Sequence, residues 1–252
     1  MKIYYHKIGT PQSDDVLFYQ NAAYPMRFYY VDVNESETKM YLYESGAGSG
    51  NNLFVRDLTK PESQFIQMTS NMDYQYSPVY DDGNRIWLYT NYGAPKGRIM
   101  TADIRQPGVD SWHELVAEQE NVLGGADVIN RQLILTYQKD ASDHAYLYGL
   151  DGQLRHEVQL PSVGSVGFTG DEKEAECFYT FTSFTIPGTI YRYDMDKNES
   201  TLYISPKVKF RQDDYTSEQV FFQSKDGTRI PMFLTYKKGL KRNGKNPVYL
   251  YG

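Results

Sequence analysis

Cysteine is nearly absent from this chain. The single Cys177 among 252 residues cannot close an intrachain disulfide, so the fold must rest on packing. Its strand-like setting, with no histidine nearby in sequence to activate it, reads as an inward-facing strand residue. Histidine is also scarce. His6, His113, His144 and His156 are scattered without ligand-like spacing, which argues against a metal site. No run approaches the roughly 20 apolar residues that a spanning helix needs, and residues 1–5 lack the apolar core of a signal peptide. Basic runs are missing and the net charge is -6, so a nucleic-acid partner is excluded, because phosphate binding needs clustered Lys and Arg. A sustained helical apolar period is missing as well. The glycines of residues 46–50 fall short of a phosphate-cradling pattern and lead into a strand, and no cofactor is implied.

What the chain has in abundance is tyrosine and phenylalanine, 24 and 12 residues. Aromatic side chains suit pleated strands. Alternating segments recur at residues 53–58, 99–104, 145–150 and 190–195, with anchors at Asp57, Asp103, Gly149 and Asp194 that are 46, 46 and 45 residues apart. A second alternating run precedes each anchor, at 39–44, 85–91, 132–138 and 177–183, and a polar or Gly/Pro turn separates the two runs. Short outer strands follow at 64–68, 111–116, 154–160 and 201–204. A four-stranded unit repeating every 40 to 50 residues is the mark of a propeller blade. A β-sandwich also uses short strands, but it has no reason to repeat its strand grammar four times in register.

The ends depart from the repeat. Residues 2–8 and 15–19 read as the last two strands of an earlier blade, so the propeller is expected to be truncated on its N-terminal side. Beyond residue 213 the pattern becomes a hairpin, 219–223 with 229–236, then a basic loop and an apolar run at 247–251. That grammar suits the opening strands of an α/β domain. The fold class expected is therefore all-β: about four complete four-stranded blades of a partial β-propeller over residues 1–213, then the first strands of an α/β domain over 214–252.

Other motifs have ordinary readings. Asp194, Asp196 and Asn198 imitate the start of a calcium loop, but the sixth and twelfth positions are Glu199 and Ser205, so a solvated turn is the better reading. Asn34 and Asn198 satisfy the glycosylation sequon within turns that are polar for their own reasons. The nucleophile elbow G-x-S-x-G does not occur, and Ser49 and Ser165 sit among glycines at the wrong offsets.

Four segments carry a resemblance. Residues 4–15, with His6, Gly9, Thr10, Gln12, Ser13 and Asp15, resemble the H-x-x-G-T-x-Q-S-x-D loop of the prolyl oligopeptidase propeller. Residues 181–191 are similar to that family's F-T-S-F-x-x-P-G hairpin. Residues 224–233 resemble the segment that leads into its peptidase domain, and 247–252 the start of its L-Y-G-Y-G-G strand end. The resemblance implies a seven-bladed propeller capping an α/β-hydrolase domain, a serine-type endopeptidase cleaving short peptides after proline, with the propeller gating the active site. It also implies that the catalytic Ser, Asp and His and the oxyanion-hole Tyr all follow Gly252, so this segment has no catalytic residue of its own. In the family a T-N-R loop sets an Arg near the substrate; here the stretch is Thr90, Asn91 and Tyr92, which makes Tyr92 the substrate-facing candidate, through stacking or its hydroxyl.

The partners implied are short proline-containing peptides and the missing peptidase domain, with neither nucleic acid nor membrane. The cytoplasm, or else the periplasm, is the expected compartment. Two other readings stay open: a stand-alone propeller used as a binding module, and the propeller of an oligopeptidase B or dipeptidyl-peptidase relative. Residues 214–252 count against the first, since an unpaired apolar strand on a free-standing propeller invites aggregation.

Overall fold

The computed structural model describes residues 1–251. Every regular element in them is a strand or a single 3₁₀ turn. A short ladder of β1 (Ile3–Tyr5) with β2 (Val16–Tyr19) opens the chain. Four antiparallel meanders follow. Blade 1 is β3 (Phe28–Val33), β4 (Lys39–Ser45), β5 (Asn52–Asp57) and β6 (Ile66–Gln67). Blade 2 is β7 (Tyr76–Asp82), β8 (Arg85–Thr90), β9 (Arg98–Asp103) and β10 (His113–Val116). Blade 3 is β11 (Val122–Ile129), β12 (Gln132–Lys139), β13 (Ser142–Gly149) and β14 (Leu154–Glu157). Blade 4 is β15 (Ser165–Gly170), β16 (Cys177–Thr182), β17 (Thr189–Asp194) and β18 (Glu199–Ile204). A two-stranded hairpin, β19 (Tyr215–Gln223) with β20 (Arg229–Lys237), ends the regular structure.

The 46-residue period is thus the period of the blades, and each anchor closes the third strand of its sheet. The Asp at that position has a local task. Asp57 accepts the amide of Thr59 at 2.9 Å, and Asp103 that of Arg105 at 2.9 Å, closing the turn to the fourth strand. Blade 3 has Gly149 at the anchor, and Asp151 takes over by accepting the amide of Gln153 at 3.0 Å.

The chain divides into two compact units, one of residues 1–128 with 150–153 and the other of residues 129–149 with 154–252. In the first, the facing sheets of blades 1 and 2 share a core of Leu53, Val55, Met68, Ile86 and Leu88, all fully buried, closed by Tyr76 against the edge of Trp112. Burying each such aliphatic side chain contributes about 1.5–3 kcal/mol. In the second unit, Ile134, Ala145 and Leu147 of blade 3 pack on Cys177, Tyr179, Phe181 and Tyr193 of blade 4. Cys177 is fully buried there, an inward strand residue as its setting suggests.

Two expectations change in detail. The outer strand of blade 1 shrinks to two residues. Residues 247–251 form no ladder and Val248, Tyr249 and Leu250 are 82–88% exposed rather than buried, because a buried parallel strand needs neighbours on both sides and the described residues offer none.

Candidate functional site

In each unit taken by itself, the candidate residues lie in turns that join the second and third strands of a blade. In blade 2 this turn spans residues 91–97 between β8 and β9. Asn91 pins it to the segment that leads into β7 by accepting the amide of Gln75 at 2.7 Å. The Tyr92 amide donates to Thr90 Oγ1 at 3.0 Å, and the Tyr92 carbonyl accepts from Arg98 Nη2 at 2.8 Å. Gly97 closes the turn at φ +86°, with the Tyr89 ring lying where a Cβ would stand, so only glycine fits.

The Tyr92 ring is half-buried and meets Tyr74 edge to face at 5.1 Å. It also packs against the blade 1–blade 2 core. Burial, followed by the neighbouring Tyr92 and Tyr74, pushes the Tyr76 phenol up to about 12. Tyr76 is fully buried beneath this pair, so the partly exposed rings of Tyr74 and Tyr92 offer the aromatic faces and hydroxyls suited to an apolar ring or a peptide group.

In the second unit, the equivalent turn of blade 4 is a preformed pedestal. Ser183 Oγ accepts the amides of Thr185 (3.3 Å) and Ile186 (3.1 Å), and Thr189 Oγ1 donates to the Pro187 carbonyl at 2.6 Å. Ile186 turns into the core and Phe184 turns out, where its ring meets Phe233 of β20 at 5.3 Å. Gln219 of β19 donates to the Asp140 carbonyl in the corresponding turn of blade 3 at 2.5 Å. Within this unit the β19–β20 hairpin is thus seated on the second-to-third-strand turns of blades 3 and 4.

The remaining candidates have structural work. His6 pairs with Asp15 at 2.6 Å, His144 with Glu157 at 3.1 Å and His156 with the Tyr193 hydroxyl at 2.9 Å, while His113 is exposed. Among the described residues, none of the four is hydrogen-bonded to a Ser, Thr or Cys side chain. Both sequon amides are occupied. Asn34 donates to Asp81 at 2.9 Å and accepts the amides of Thr38 and Lys39, and Asn198 accepts from Tyr193 at 2.9 Å and donates to the Glu157 carbonyl at 3.0 Å. Asp194 binds Lys197 through its amide and its ammonium, in a turn rather than a cation loop. No group of three or more His, Cys, Asp or Glu suited to a metal occurs among the described residues. A cleft of about 290 Å³ at the other end of β8 is lined by Asp82, Arg85, Trp87, Asp103 and Arg105, where Asp103 already neutralises Arg105. Gly252, beside which the oxyanion Tyr is expected, lies outside the described residues.

Sequence reasoning singled out Tyr92 but not Arg98, whose partners come together only on folding. The family model for the prolyl oligopeptidase N-terminal beta-propeller domain matches residues 1–206. The chain is similar to the prolyl endopeptidase of Elizabethkingia meningoseptica, 36% identical over 99% of this chain and 35% of that protein. It is 31% identical to prolyl oligopeptidase A of Amanita bisporigera, over 99% of this chain and 34% of that one. Among solved structures, apo prolyl oligopeptidase B from Galerina marginata aligns with a TM-score of 0.87 at 28% identity, covering 95% of this chain and 35% of that one. A variant of the same protein bound to a 35mer hydrolysis and macrocyclization substrate aligns at 0.84, also at 28% identity, with the same coverage of 95% and 35%. This chain therefore spans about a third of the length of its relatives.

Proposed function

Because this chain belongs to the family of prolyl oligopeptidase N-terminal β-propeller domains, we propose that it is the gating propeller of a serine-type endopeptidase that cleaves short peptides after proline. One observation carries the reading. The likeness to prolyl endopeptidases extends over 99% of the chain, beyond residue 206 where the propeller family ends and through the β19–β20 hairpin. Residues 214–252 are then the approach to a peptidase domain, with the boundary at residue 213.

In this reading the chain controls access and performs no chemistry. Acyl transfer needs a hydroxyl nucleophile held by an imidazole base, and donors aimed at the developing oxyanion. No histidine here is hydrogen-bonded to a Ser, Thr or Cys side chain among the described residues, which supports leaving those roles to the peptidase domain. Tyr92 faces the peptide and contributes ring stacking or its hydroxyl rather than a charge.

The test treats this chain, and the same chain extended through the peptidase domain, with a serine-directed fluorophosphonate, and offers each a Gly-Pro-X peptide. The extended protein should label and cleave after proline, and this chain should do neither. Labelling at a Ser within residues 1–252 would overturn the assignment of a gate without a nucleophile. An extended protein that labels but spares the proline peptide would overturn the specificity.

A further inference from the structure

Arg98 begins β9, six residues after Tyr92, and its guanidinium is divided between two tasks. Nη2 donates to the Tyr92 carbonyl at 2.8 Å, and Nη1 donates to Glu114 Oε2 on β10 at 3.0 Å. The side chain is 20% exposed and that of Glu114 is 47% exposed. Arg98 Nε is buried and has no partner among the described residues. A guanidinium carries five N–H groups in a rigid fork, so it can brace a backbone carbonyl and a carboxylate at once; an ammonium has no such fork.

We infer that Arg98 is a positioning residue for substrate recognition: it fixes the carbonyl, and through it the ring, of Tyr92. The inference rests on the reading of Tyr92 as substrate-facing. Glu114 orients the guanidinium and cancels its charge, so Arg98 presents no cation to the peptide and acts through Tyr92. The other supports act elsewhere on the turn: the Tyr92 amide is held by Thr90 on the N-terminal side, Asn91 is held through Gln75, and the Lys96 amide donates to Glu118 at 2.6 Å. The bond from Arg98 fixes the tip of the turn from its C-terminal side.

The clamp is tested first by amide hydrogen exchange in this chain. Arg98→Lys keeps a charge for Glu114 but lacks the fork, and exchange at residues 92–94 should quicken about tenfold, matching the loss of one hydrogen bond. Arg98→Ala should do the same, with exchange in the strands of blade 2 unchanged. Exchange at 92–94 equal to that of the parent sequence in both variants would overturn the clamp. In the full-length protein, both Arg98 variants should raise KM for a proline peptide about fivefold to tenfold with kcat nearly constant, as should Tyr92→Ala. If Tyr92→Ala raises KM and the Arg98 variants do not, the positioning role is overturned while the Tyr92 reading stands. If Tyr92→Ala leaves KM unchanged, the Tyr92 reading fails and the positioning role fails with it, even where exchange has shown the clamp to exist. Full rescue by Lys would also overturn the inference, because it would assign the effect to charge.

Discussion

A buried ion pair lies between blades 1 and 2, and a hydrogen-bonded chain through Tyr193 lies between blades 3 and 4. In the first unit, Lys39 of β4 reaches Asp81 of β7 at 2.5 Å, and Asp81 also accepts from the Tyr41 hydroxyl and Asn34 Nδ2, each at 2.9 Å. Both charged side chains are less than a tenth exposed. In the second unit, the Tyr193 hydroxyl of β17 gives its proton to Asn198 at 2.9 Å, so His156 Nε2 of β14 must be the donor to Tyr193, also at 2.9 Å. Asn198 completes the chain through the Glu157 carbonyl. Both arrangements satisfy polar groups between packed sheets, but they differ in what is left when one member is lost. The ion pair leaves an uncompensated buried charge; the chain through Tyr193 leaves unmade hydrogen bonds.

The largest effect should therefore follow from Asp81→Asn. Removing one partner of a buried ion pair costs about 3–5 kcal/mol, and urea unfolding of the chain should show a loss of that order. The double variant Lys39→Met, Asp81→Leu should lose less than the single variant, since no charge is stranded. If the single variant is the milder of the two, the junction does not depend on its ion pair.

Tyr193→Phe probes the other junction. It removes one hydroxyl and strands a donor on His156 and an acceptor on Asn198, which should cost about 1–3 kcal/mol by the same unfolding measurement. A loss as large as that of Asp81→Asn would erase the distinction between the junctions.

Much of this architecture could be read from the sequence, for identifiable reasons. The second and third strands of each blade alternate cleanly and their anchors recur, because an Asp at or just beyond the end of the third strand closes the next turn. The first strands were not separately legible. β7 carries Pro78 and a register shift next to it, β11 carries Gly124 and Gly125, and β15 carries Gly167 and Gly170, all of which blur the alternation. Tyr92 stood out through a motif, whereas Arg98 could not, because its function depends on Glu114, sixteen residues away on another strand. The two junctions were likewise invisible, since Lys39 meets Asp81 and His156 meets Tyr193 only after the blades stack.

A smaller effect sharpens the contrast from within the second unit. Ala141 holds φ +60° in the tight turn between β12 and β13, a conformation that costs an L-residue energy and glycine almost none. Ala141→Gly should stabilise the chain by roughly 0.5–1 kcal/mol, the relief of strain outweighing the greater freedom of glycine in the unfolded state. The gain should be independent of the junctions and add to the loss from Tyr193→Phe, as expected of sites that share no partners. Strong non-additivity would mean that the turn and the junction form one structural element.

The smallest effect should be common to both units. The Thr59 hydroxyl, then Lys60, hold the Asp57 carboxyl down at about 2, and Arg105 does the same for Asp103, while Lys197 lowers Asp194 in blade 4. A carboxyl whose pKa is lower in the folded chain stabilises the fold above its unfolded value. It loses that contribution as pH falls through the folded value. For Asp57 and Asp103 the loss should run from about pH 4 down to about pH 2, with the full contribution present at neutral pH. All three carboxyls are partly open to solvent, so screening keeps each contribution small. Asp57→Asn in the first unit and Asp194→Asn in the second should each flatten the acid limb of the stability curve slightly and by similar amounts, because the same strand-closing turn recurs in both. The measurement is urea unfolding between pH 2 and pH 6 at fixed ionic strength. A marked flattening confined to the Asp57 variant would show that the turns, like the junctions, differ between the units.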